Sequence, residues 1–337
     1  MIKALEEKLD LERVAFVHGA LVLVTALSLS IPGGPPWVLT APANLLLLLT
    51  LPSLVLAPVL LMKSRVLLGC LQVASVAVGA YFFAVPLTED WTGEPRRYTE
   101  PGEYMLEMST PKIRIATFNT GVGLASAEAI ADFLEETRPD IVVLVELTDR
   151  VAAALVPLCE KRYPYRALYP DGIDGKAVLS RYPILTEALI RLRDGRPTLQ
   201  VELDVNGQSV ELMAVHFSPS IGVLDRGAAA GRDLEQLSSL LDPNGPSIMA
   251  GDFNTTERSP SHVRLVEAGF GDSFAEVGWG LGRTFPMFGR YFGLPIGRFM
   301  RIDYVWHGAA LKATRAFVGR DLGSDHLPVI ADLVWRN

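Results

Sequence analysis

The sequence predicts an α/β domain preceded by three transmembrane helices. Residues 14–62 contain no Asp, Glu, Lys or Arg, and residues 66–88 form a further uncharged run. From Pro111 onward, short apolar runs alternate with helical and turn-rich stretches, a pattern typical of an α/β layered domain. The composition agrees, because 49% of the residues are hydrophobic and only 20% are charged, as expected for a membrane portion joined to a soluble one.

The first uncharged stretch is too long for one membrane crossing. Its 49 residues would form a helix of about 74 Å, whereas the hydrocarbon core of a bilayer is about 30 Å thick. Residues 32–36 read Pro-Gly-Gly-Pro-Pro, which favours a turn, so we predict spans at residues 14–31, 37–62 and 66–88. A cleaved signal peptide followed by an apolar core is the alternative.

Positive charges in the short loops predict the orientation of these spans. The positive charges before the first span and between the second and third are Lys3, Lys8, Arg13, Lys63 and Arg65, and the first loop carries none. Because Lys and Arg favour the cytoplasmic side, everything after Thr88 is expected outside the cytoplasm. We therefore predict a multi-pass cell-membrane protein with a three-helix region at 1–87, a linker at 88–110 and an extracytoplasmic domain at 111–337.

Hydrophobic periodicity predicts the elements of the last region. Strands are expected at residues 113–119, 141–145, 178–179, 199–203, 210–215, 248–250, 302–306 and 327–334, and helices at 127–137 and 225–241. Polar residues able to do chemistry lie mostly at or just after the ends of these strands. They are Asn119, Glu146, His216, Asp252, Asn254, Asp303, Asp325 and His326.

Each of these residues alone is explained as well by a turn, a cap or a buried histidine. Their order along the chain is more informative, and it resembles the endonuclease/exonuclease/phosphatase superfamily. Members include deoxyribonuclease I, abasic-site endonucleases, inositol polyphosphate phosphatases and neutral sphingomyelinases. The most specific segments are Gly-Asp-Phe-Asn at 251–254 and Ser-Asp-His-Leu-Pro at 324–328, with residues 175–183 as a third.

The resemblance covers residues 112–334 and implies the family's fold, a four-layer sandwich of two mixed β-sheets flanked by helices. It also implies a metal-dependent phosphoester hydrolase. Glu146 is expected to bind Mg²⁺ or Mn²⁺, since these cations prefer oxygen ligands. Asn119 and Asp325 are expected to complete the metal site or the phosphate site. One departure is Val145, which stands where many members carry Gln.

The resemblance implies roles for the remaining residues as well. Asp252 is expected to orient and deprotonate the attacking water, and Asn254 to contact a phosphate oxygen. His326, paired with Asp303, is expected to stay protonated and stabilise the transition state, because a carboxylate partner raises the pKa of a histidine. His216 is expected to contact the phosphoryl group or assist the leaving oxygen.

Charge gives a weaker prediction of the substrate. Residues 110–337 contain 24 Lys and Arg against 28 Asp and Glu, a net charge of −4, which does not favour a nucleic-acid surface. Residues 282–302 are a local exception, free of acidic residues and rich in aromatic ones. Their arginines, which are candidate substrate-binding residues, are Arg283, Arg290, Arg298 and Arg301. This stretch is either a core-packing loop with solvated arginines or a surface for the bilayer or an anionic substrate.

Taken together, these features favour a phosphodiesterase that acts on a lipid or lipid-linked phosphoester at the outer membrane surface. A tethered extracytoplasmic nuclease or nucleotide phosphodiesterase is the second interpretation, and a non-catalytic membrane sensor is the third. The expected partners are the lipid bilayer and the phosphoester, with nucleic acid less favoured. No protein partner is indicated by the sequence.

Overall fold

A computed structural model of the chain describes residues 2–28, 46–88, 112–192, 195–218, 233–285 and 300–336. The predicted turn at 32–36, the linker beyond residue 88, Arg290 and Arg298 therefore lie outside the described residues. The chain divides into two units, one formed by Met1–Thr92 with Arg258–Pro260, the other by Gly93–Glu257 with Ser261–Asn337. Each unit is described by itself below.

The N-terminal unit contains three helices, α1 (Ile2–Ser28), α2 (Leu46–Met62) and α3 (Val66–Thr88). Among the described residues, one helical segment, Leu11–Ser28, is long and apolar enough to cross a membrane. The apolar segments of the other two, Leu49–Met62 and Val66–Tyr81, are shorter. Three spanning helices were expected, but among the described residues only one helix is long and apolar enough to cross a membrane. Its position near the N-terminus also suits a signal sequence.

Polar side chains of this unit face one another between the helices. Gln72 is fully buried, donates to the Ala15 carbonyl at 2.6 Å and accepts from the Ser53 hydroxyl at 2.8 Å. His18 Nε2 lies 2.7 Å from the Leu49 carbonyl. Because polar groups on apolar helices are costly unless they are paired, these contacts link the three helices through hydrogen bonds.

Two six-stranded sheets form the second unit. In chain order the strands are β1 (Lys112–Asn119), β2 (Ile141–Val145), β3 (Tyr165–Tyr169), β4 (Lys176–Ser180), β5 (Ile184–Ile190), β6 (Thr198–Val205), β7 (Gln208–His216), β8 (Ser247–Asp252), β9 (Gly271–Asp272), β10 (Asp303–His307), β11 (Leu311–Val318) and β12 (Val329–Trp335). The first sheet has the order β11-β12-β1-β2-β4-β3, and the second β5-β6-β7-β8-β10-β9.

Helices connect these strands. They are α4 (Ala127–Thr137), α5 (Asp149–Cys159), α6 (Pro260–Glu267) and α7 (Ser273–Val277), together with a 3₁₀ turn at Gly172–Asp174 and helical residues 233–238. The first two begin as their sequences favour, because Ser126 and Thr148 each accept a backbone N–H from the first turn. The helix expected at 225–241 is helical at 233–238, and its first part lies outside the described residues.

Three hydrophobic clusters hold the sheets and helices of this domain together. Side chains from both sheets, such as Val143 and Leu212, form one cluster between the sheets. Phe133 and Leu155 of α4 and α5 belong to a second cluster on the outside of the first sheet, and Leu265 of α6 belongs to a third on the outside of the second. The prediction of two mixed sheets flanked by helices is confirmed.

Strand direction brings the polar strand ends together. Each sheet has one parallel pair at its centre, β1 with β2 and β7 with β8, in which Asn119 lies opposite Val145 and His216 opposite Asp252. Parallel strands end at the same edge of a sheet. The antiparallel strand β10 begins at that edge of the second sheet, where Asp303 pairs with Asp252.

Candidate active site

Asp252 lies at the centre of the polar cluster at these strand ends. Its side chain accepts from Asn119 Nδ2 at 3.0 Å, which joins the two sheets, and from the Asn254 backbone N–H at 2.8 Å. Burial raises the pKa of Asp252 to about 7, although the nearby His326 charge opposes this. A carboxyl group with a pKa near neutrality can accept a proton from water and release it again.

His326 lies next to it, 3.8 Å from Asp252 Oδ2 through Nε2. Its Nδ1 donates to Asp303 Oδ2 at 2.9 Å, so the predicted pairing of these two residues is confirmed. Burial by itself would lower the pKa of His326, but the carboxylates of Asp303 and Asp252 outweigh it and raise the pKa to about 10. His326 is therefore a buried cation at neutral pH. The ring of Phe285 packs against it at 4.6 Å between centroids.

Two residues of the cluster have left-handed backbone conformations that non-glycine residues rarely adopt. They are Glu146, with φ of 56°, and Asn254, with φ of 48°. Such conformations cost about 1–3 kcal/mol each and concentrate at functional sites. Asn254 Nδ2 donates to the Phe217 carbonyl at 2.9 Å and lies 3.2 Å from Asp252 Oδ2. These contacts orient Asp252, and the contact of Asn254 with a phosphate oxygen stays a prediction.

Glu146 follows directly after β2, and its carbonyl accepts from the Thr120 hydroxyl at 2.7 Å. Burial raises the pKa of the Glu146 carboxyl, a hydrogen bond from Asn119 opposes the rise, and the negative charge of Asp325 adds to it. Asp325 lies beside the Gly121 turn, where a Cβ on the glycine would be 3.1 Å from Asp325 Oδ1. The Glu146 carboxylate therefore feels the charge of Asp325, whereas the Asn119 amide oxygen accepts from the Gly121 N–H at 2.9 Å.

The two carboxylates fit a divalent cation. Glu146 and Asp325 offer the oxygen ligands that Mg²⁺ and Mn²⁺ prefer, and a cation would relieve the repulsion between them. The metal-binding role of Asn119 stays a prediction, because its amide oxygen accepts from the Gly121 N–H. Asp252, Asp303 and His326 form a second group, whose ligand atoms lie within 4.8 Å of one another. The sequence placed that second group in catalysis rather than in metal binding. One of its atoms, Asp303 Oδ1, is buried without a hydrogen-bond partner among the described residues.

His216 closes the cluster on the side of Glu146. Its Nε2 lies 3.5 Å from Glu146 Oε1 and 3.7 Å from Asp252 Oδ2, and its Nδ1 lies 3.1 Å from the Ile173 carbonyl. Burial lowers its pKa well below the usual value, and the charges of Arg196 and Lys176 lower it further. His216 is therefore neutral, with Nδ1 donating to Ile173 and Nε2 directed into the site.

The sequence pattern did not indicate two cations at this site. Arg196 Nη1 lies 2.6 Å from His216 Nε2 and 3.8 Å from Glu146 Oε1. Lys176 is completely buried, its Nζ donates to the Asp174 carbonyl at 2.9 Å, and burial lowers its pKa to about 8. Both residues precede or begin a strand, so a search of strand ends misses them. Lys176 lies in the segment 175–183 that carried the family resemblance.

The two described arginines of the acid-free stretch, Arg283 and Arg301, were expected to bind substrate, but they have different environments. Arg301 is 5% exposed and donates to both carboxylate oxygens of Asp272, at 2.9 and 2.7 Å. It is therefore a structural residue, because its charge is already neutralised inside the fold. Arg283 forms an ion pair with Glu257 at 2.9 Å and is partly exposed, so its contact with substrate stays a prediction.

Breaking the Arg301–Asp272 pair is expected to destabilise the domain. The Arg301→Met change leaves a buried carboxylate without its cation, which costs about 3–5 kcal/mol. Arg301 and His262 hold the pKa of Asp272 well below its usual value despite burial, so this stability is present above about pH 4 and is lost as the pH falls further. Denaturant unfolding at pH 7 measures the effect.

The matched control, Arg320→Met, removes an exposed ion pair with Glu136 and should cost less than about 1 kcal/mol. Equal losses in the two variants would contradict the assignment.

Sequence comparisons identify proteins to which this chain is similar. A sequence model of the endonuclease/exonuclease/phosphatase family matches residues 116–326. The uncharacterized protein YbhP of Escherichia coli K12 is 31% identical over 179 residues, which cover 51% of this chain and 67% of YbhP.

Solved structures agree in fold. An endonuclease/exonuclease/phosphatase from Beutenbergia cavernae superposes with a TM-score of 0.55 at 22% identity, covering 66% of this chain and 72% of that one. Sphingomyelinase C from Streptomyces griseocarneus gives a TM-score of 0.50 at 20% identity, covering 66% and 99% respectively. At these identities the likeness concerns the fold.

Proposed function

Because this chain belongs to the endonuclease/exonuclease/phosphatase family, we propose that it is a divalent-metal-dependent phosphoester hydrolase. The observation that carries the proposal is the continuous cluster from Glu146 through Asp252 to His326. It combines oxygen donors for a hard cation, a carboxyl group with a pKa of about 7 and a buried imidazolium. These are the groups that hydrolysis of a phosphoester requires.

Asp252, His326 and His216 have different roles in the proposed reaction. Asp252, held by Asn119 and Asn254, orients a water molecule and takes its proton. His326 keeps its charge through Asp303 and stabilises the negative charge that develops on the phosphoryl oxygens. His216 is neutral, and in this tautomer its Nε2 is an acceptor, so it would accept a hydrogen bond from a protonated group at the leaving oxygen rather than donate one to the phosphoryl group.

Glu146, with Asn119 and Asp325, would hold Mg²⁺ or Mn²⁺. When bound, the cation would polarise a phosphoryl oxygen. The opposed carboxylates of Glu146 and Asp325 support this placement, because they repel each other unless a cation or a proton lies between them.

We favour a lipid or lipid-linked phosphoester as the substrate, cleaved by phosphodiesterase chemistry at the outer membrane surface. The apolar segment Leu11–Ser28 supports a membrane location, and the net charge of −4 over residues 110–337 argues against a large nucleic-acid surface. The related fold of a sphingomyelinase C is consistent with lipid phosphoesters. A tethered nuclease or nucleotide phosphodiesterase is the second candidate, and a non-catalytic membrane sensor the third.

The test is a hydrolysis screen of the purified full chain. The substrates are phospholipid and sphingolipid vesicles, inositol phosphates, nucleic acids and small soluble phosphodiesters, each with Mg²⁺, Mn²⁺ or EDTA. The proposal requires cation-dependent release of product from a phosphoester, with the highest rate on vesicles. Cleavage of DNA or RNA without lipid activity would favour the nuclease, and no turnover on any phosphoester would leave the sensor.

Membrane topology gives a further prediction. With Lys63 and Arg65 on the cytoplasmic side, three spans place the C-terminal domain outside, so a reporter active only outside the cytoplasm and fused after Asn337 should be active. Protease added to wall-stripped cells should also digest the domain. A protected domain would contradict the number or the orientation of the spans. Release of the domain as a soluble protein would identify the first helix as a cleaved signal.

A further inference from the structure

Arg196 lies at the same edge of the second sheet as the polar strand ends of the site. It lies in the connection between β5 and β6, two residues before β6 begins. Because β6 is antiparallel to β7, with Leu199 opposite Ala214, the start of β6 lies beside the end of β7 that carries His216. Its side chain is 15% exposed, and its guanidinium group contacts His216 and approaches Glu146. Chain topology therefore brings this cation beside His216, and its role follows from what the guanidinium group contacts there.

The local backbone fixes the position of this arginine. The preceding Gly195 lies close to the Asp233 carboxylate, so a Cβ at this position would have to displace that side chain. The following Pro197 restricts Arg196 to an extended conformation. On the side of the 3₁₀ turn, the Ile173 carbonyl accepts from Nη1 at 3.3 Å, and Asp174 Oδ1 lies 3.8 Å from Nε.

Among the described residues, the contacts of the guanidinium group are made by Nη1 and Nε, which leaves Nη2 to bind an anion. Arg196 carries five N–H donors in a planar fork. Its ion pairs with Glu146 and Asp174 are both 3.8 Å long, which is longer than a charge-assisted hydrogen bond of about 2.8 Å. A phosphoryl oxygen beside Glu146 would lie within reach of the same group.

We propose that Arg196 binds a non-bridging oxygen of the scissile phosphoester, and that before substrate binds it competes with the divalent cation for Glu146. The inference rests on the proposed function and adds to it a specific phosphate-binding residue. Arg196 and the cation are both positive, and they share one carboxylate, so each weakens the binding of the other until an anion bridges them. A phosphate oxyanion between them removes the repulsion and is held by both.

Calorimetry on the purified full chain tests both parts without relying on turnover. The ligands are Mg²⁺ alone, and inorganic phosphate in saturating Mg²⁺. Arg196→Met should bind Mg²⁺ several-fold more tightly than the wild type, because a positive charge 3.8 Å from Glu146 is gone. It should bind phosphate about 10- to 100-fold more weakly, the usual loss for a hydrogen bond to a charged group.

Two further variants make the test specific. Arg191→Met removes an exposed arginine at the start of the same connection and should match the wild type in both measurements. Arg196→Lys keeps the charge but not the planar fork, so it should leave Mg²⁺ affinity near the wild-type value and weaken phosphate binding. If Arg196→Met does not fold, the phosphate affinity of the lysine variant decides the proposal.

The outcomes separate this proposal from the proposed function. Wild-type protein that binds neither Mg²⁺ nor phosphate would refute the hydrolase. Wild-type binding of both, with unchanged phosphate affinity in Arg196→Met, would overturn the phosphate-binding role alone and leave Arg196 a structural ion-pair partner. Unchanged or weaker Mg²⁺ binding in that variant would overturn the competition for Glu146.

Discussion

Asp252→Asn is expected to lower kcat by about 10²–10⁴-fold, the usual contribution of a general base. The amide has nearly the same shape but cannot accept a proton from water. It also loses a hydrogen bond, because both oxygens of Asp252 accept from neighbouring N–H groups of Asn119 and Asn254. KM should change much less, because Asp252 is buried at the end of β8 and acts on the water rather than on the substrate. Steady-state kinetics on the best substrate of the screen measures both constants.

A matched control and a pH profile make this prediction specific. Asp149→Asn makes the same chemical change at the exposed start of α5 and should leave kcat unchanged. Because the pKa of Asp252 is raised to about 7, the carboxylate form increases with pH, so wild-type kcat/KM should rise through this region. A bound divalent cation moves this rise to lower pH, since positive charge favours the carboxylate. Near-normal turnover in Asp252→Asn would mean that another group deprotonates the water.

Glu146→Gln is expected to remove metal-dependent turnover, lowering kcat by about 10²–10³-fold at Mg²⁺ concentrations that saturate the wild type. A metal ion that polarises a phosphoryl oxygen contributes several kcal/mol, and each 1.4 kcal/mol is tenfold in rate. The glutamine keeps one oxygen donor but loses the charge, so the Mg²⁺ requirement should move to higher concentration. Calorimetric titration with Mg²⁺ and activity over a range of Mg²⁺ concentrations measure the two effects.

The fold of this variant must be checked because Glu146 has a left-handed backbone with φ of 56°. Glutamine adopts this conformation at a similar cost, so the unfolding midpoint should stay close to that of the wild type. Glu160→Gln, at the exposed end of α5, is the matched control. Full activity of the wild type in EDTA, or of Glu146→Gln at low Mg²⁺, would refute the role of Glu146.

Four residues of the site could be predicted because they end or follow strongly apolar strands. Residues 141–145 form β2 with all five side chains buried, and the helix expected at 127–137 has those bounds in the structure. Asn119, Glu146, His216 and Asp252 follow or end such strands. Once two parallel pairs are formed, the chain has no other place for these residues than one edge of each sheet.

Elements without a burial pattern could not be predicted. The strand β5 has exposed or half-buried side chains along its whole length, so it has no apolar periodicity to find. The helical unit shows the opposite difficulty. Uncharged runs are visible in the sequence, but among the described residues only Leu11–Ser28 is a helical segment long and apolar enough to cross a membrane, and the apolar segments Leu49–Met62 and Val66–Tyr81 are shorter.

The sequence by itself determined the α/β class, the family and most of the polar residues of the site, because these depend on local periodicity and on short motifs. The tertiary structure alone decided which charges neighbour one another. Arg301 looked like a surface arginine and is buried against Asp272, whereas Arg196 looked unremarkable and lies 3.8 Å from Glu146. Charges interact through space, and the contacts that fix their roles join residues 29 and 50 positions apart, distances over which a sequence pattern carries no geometric information.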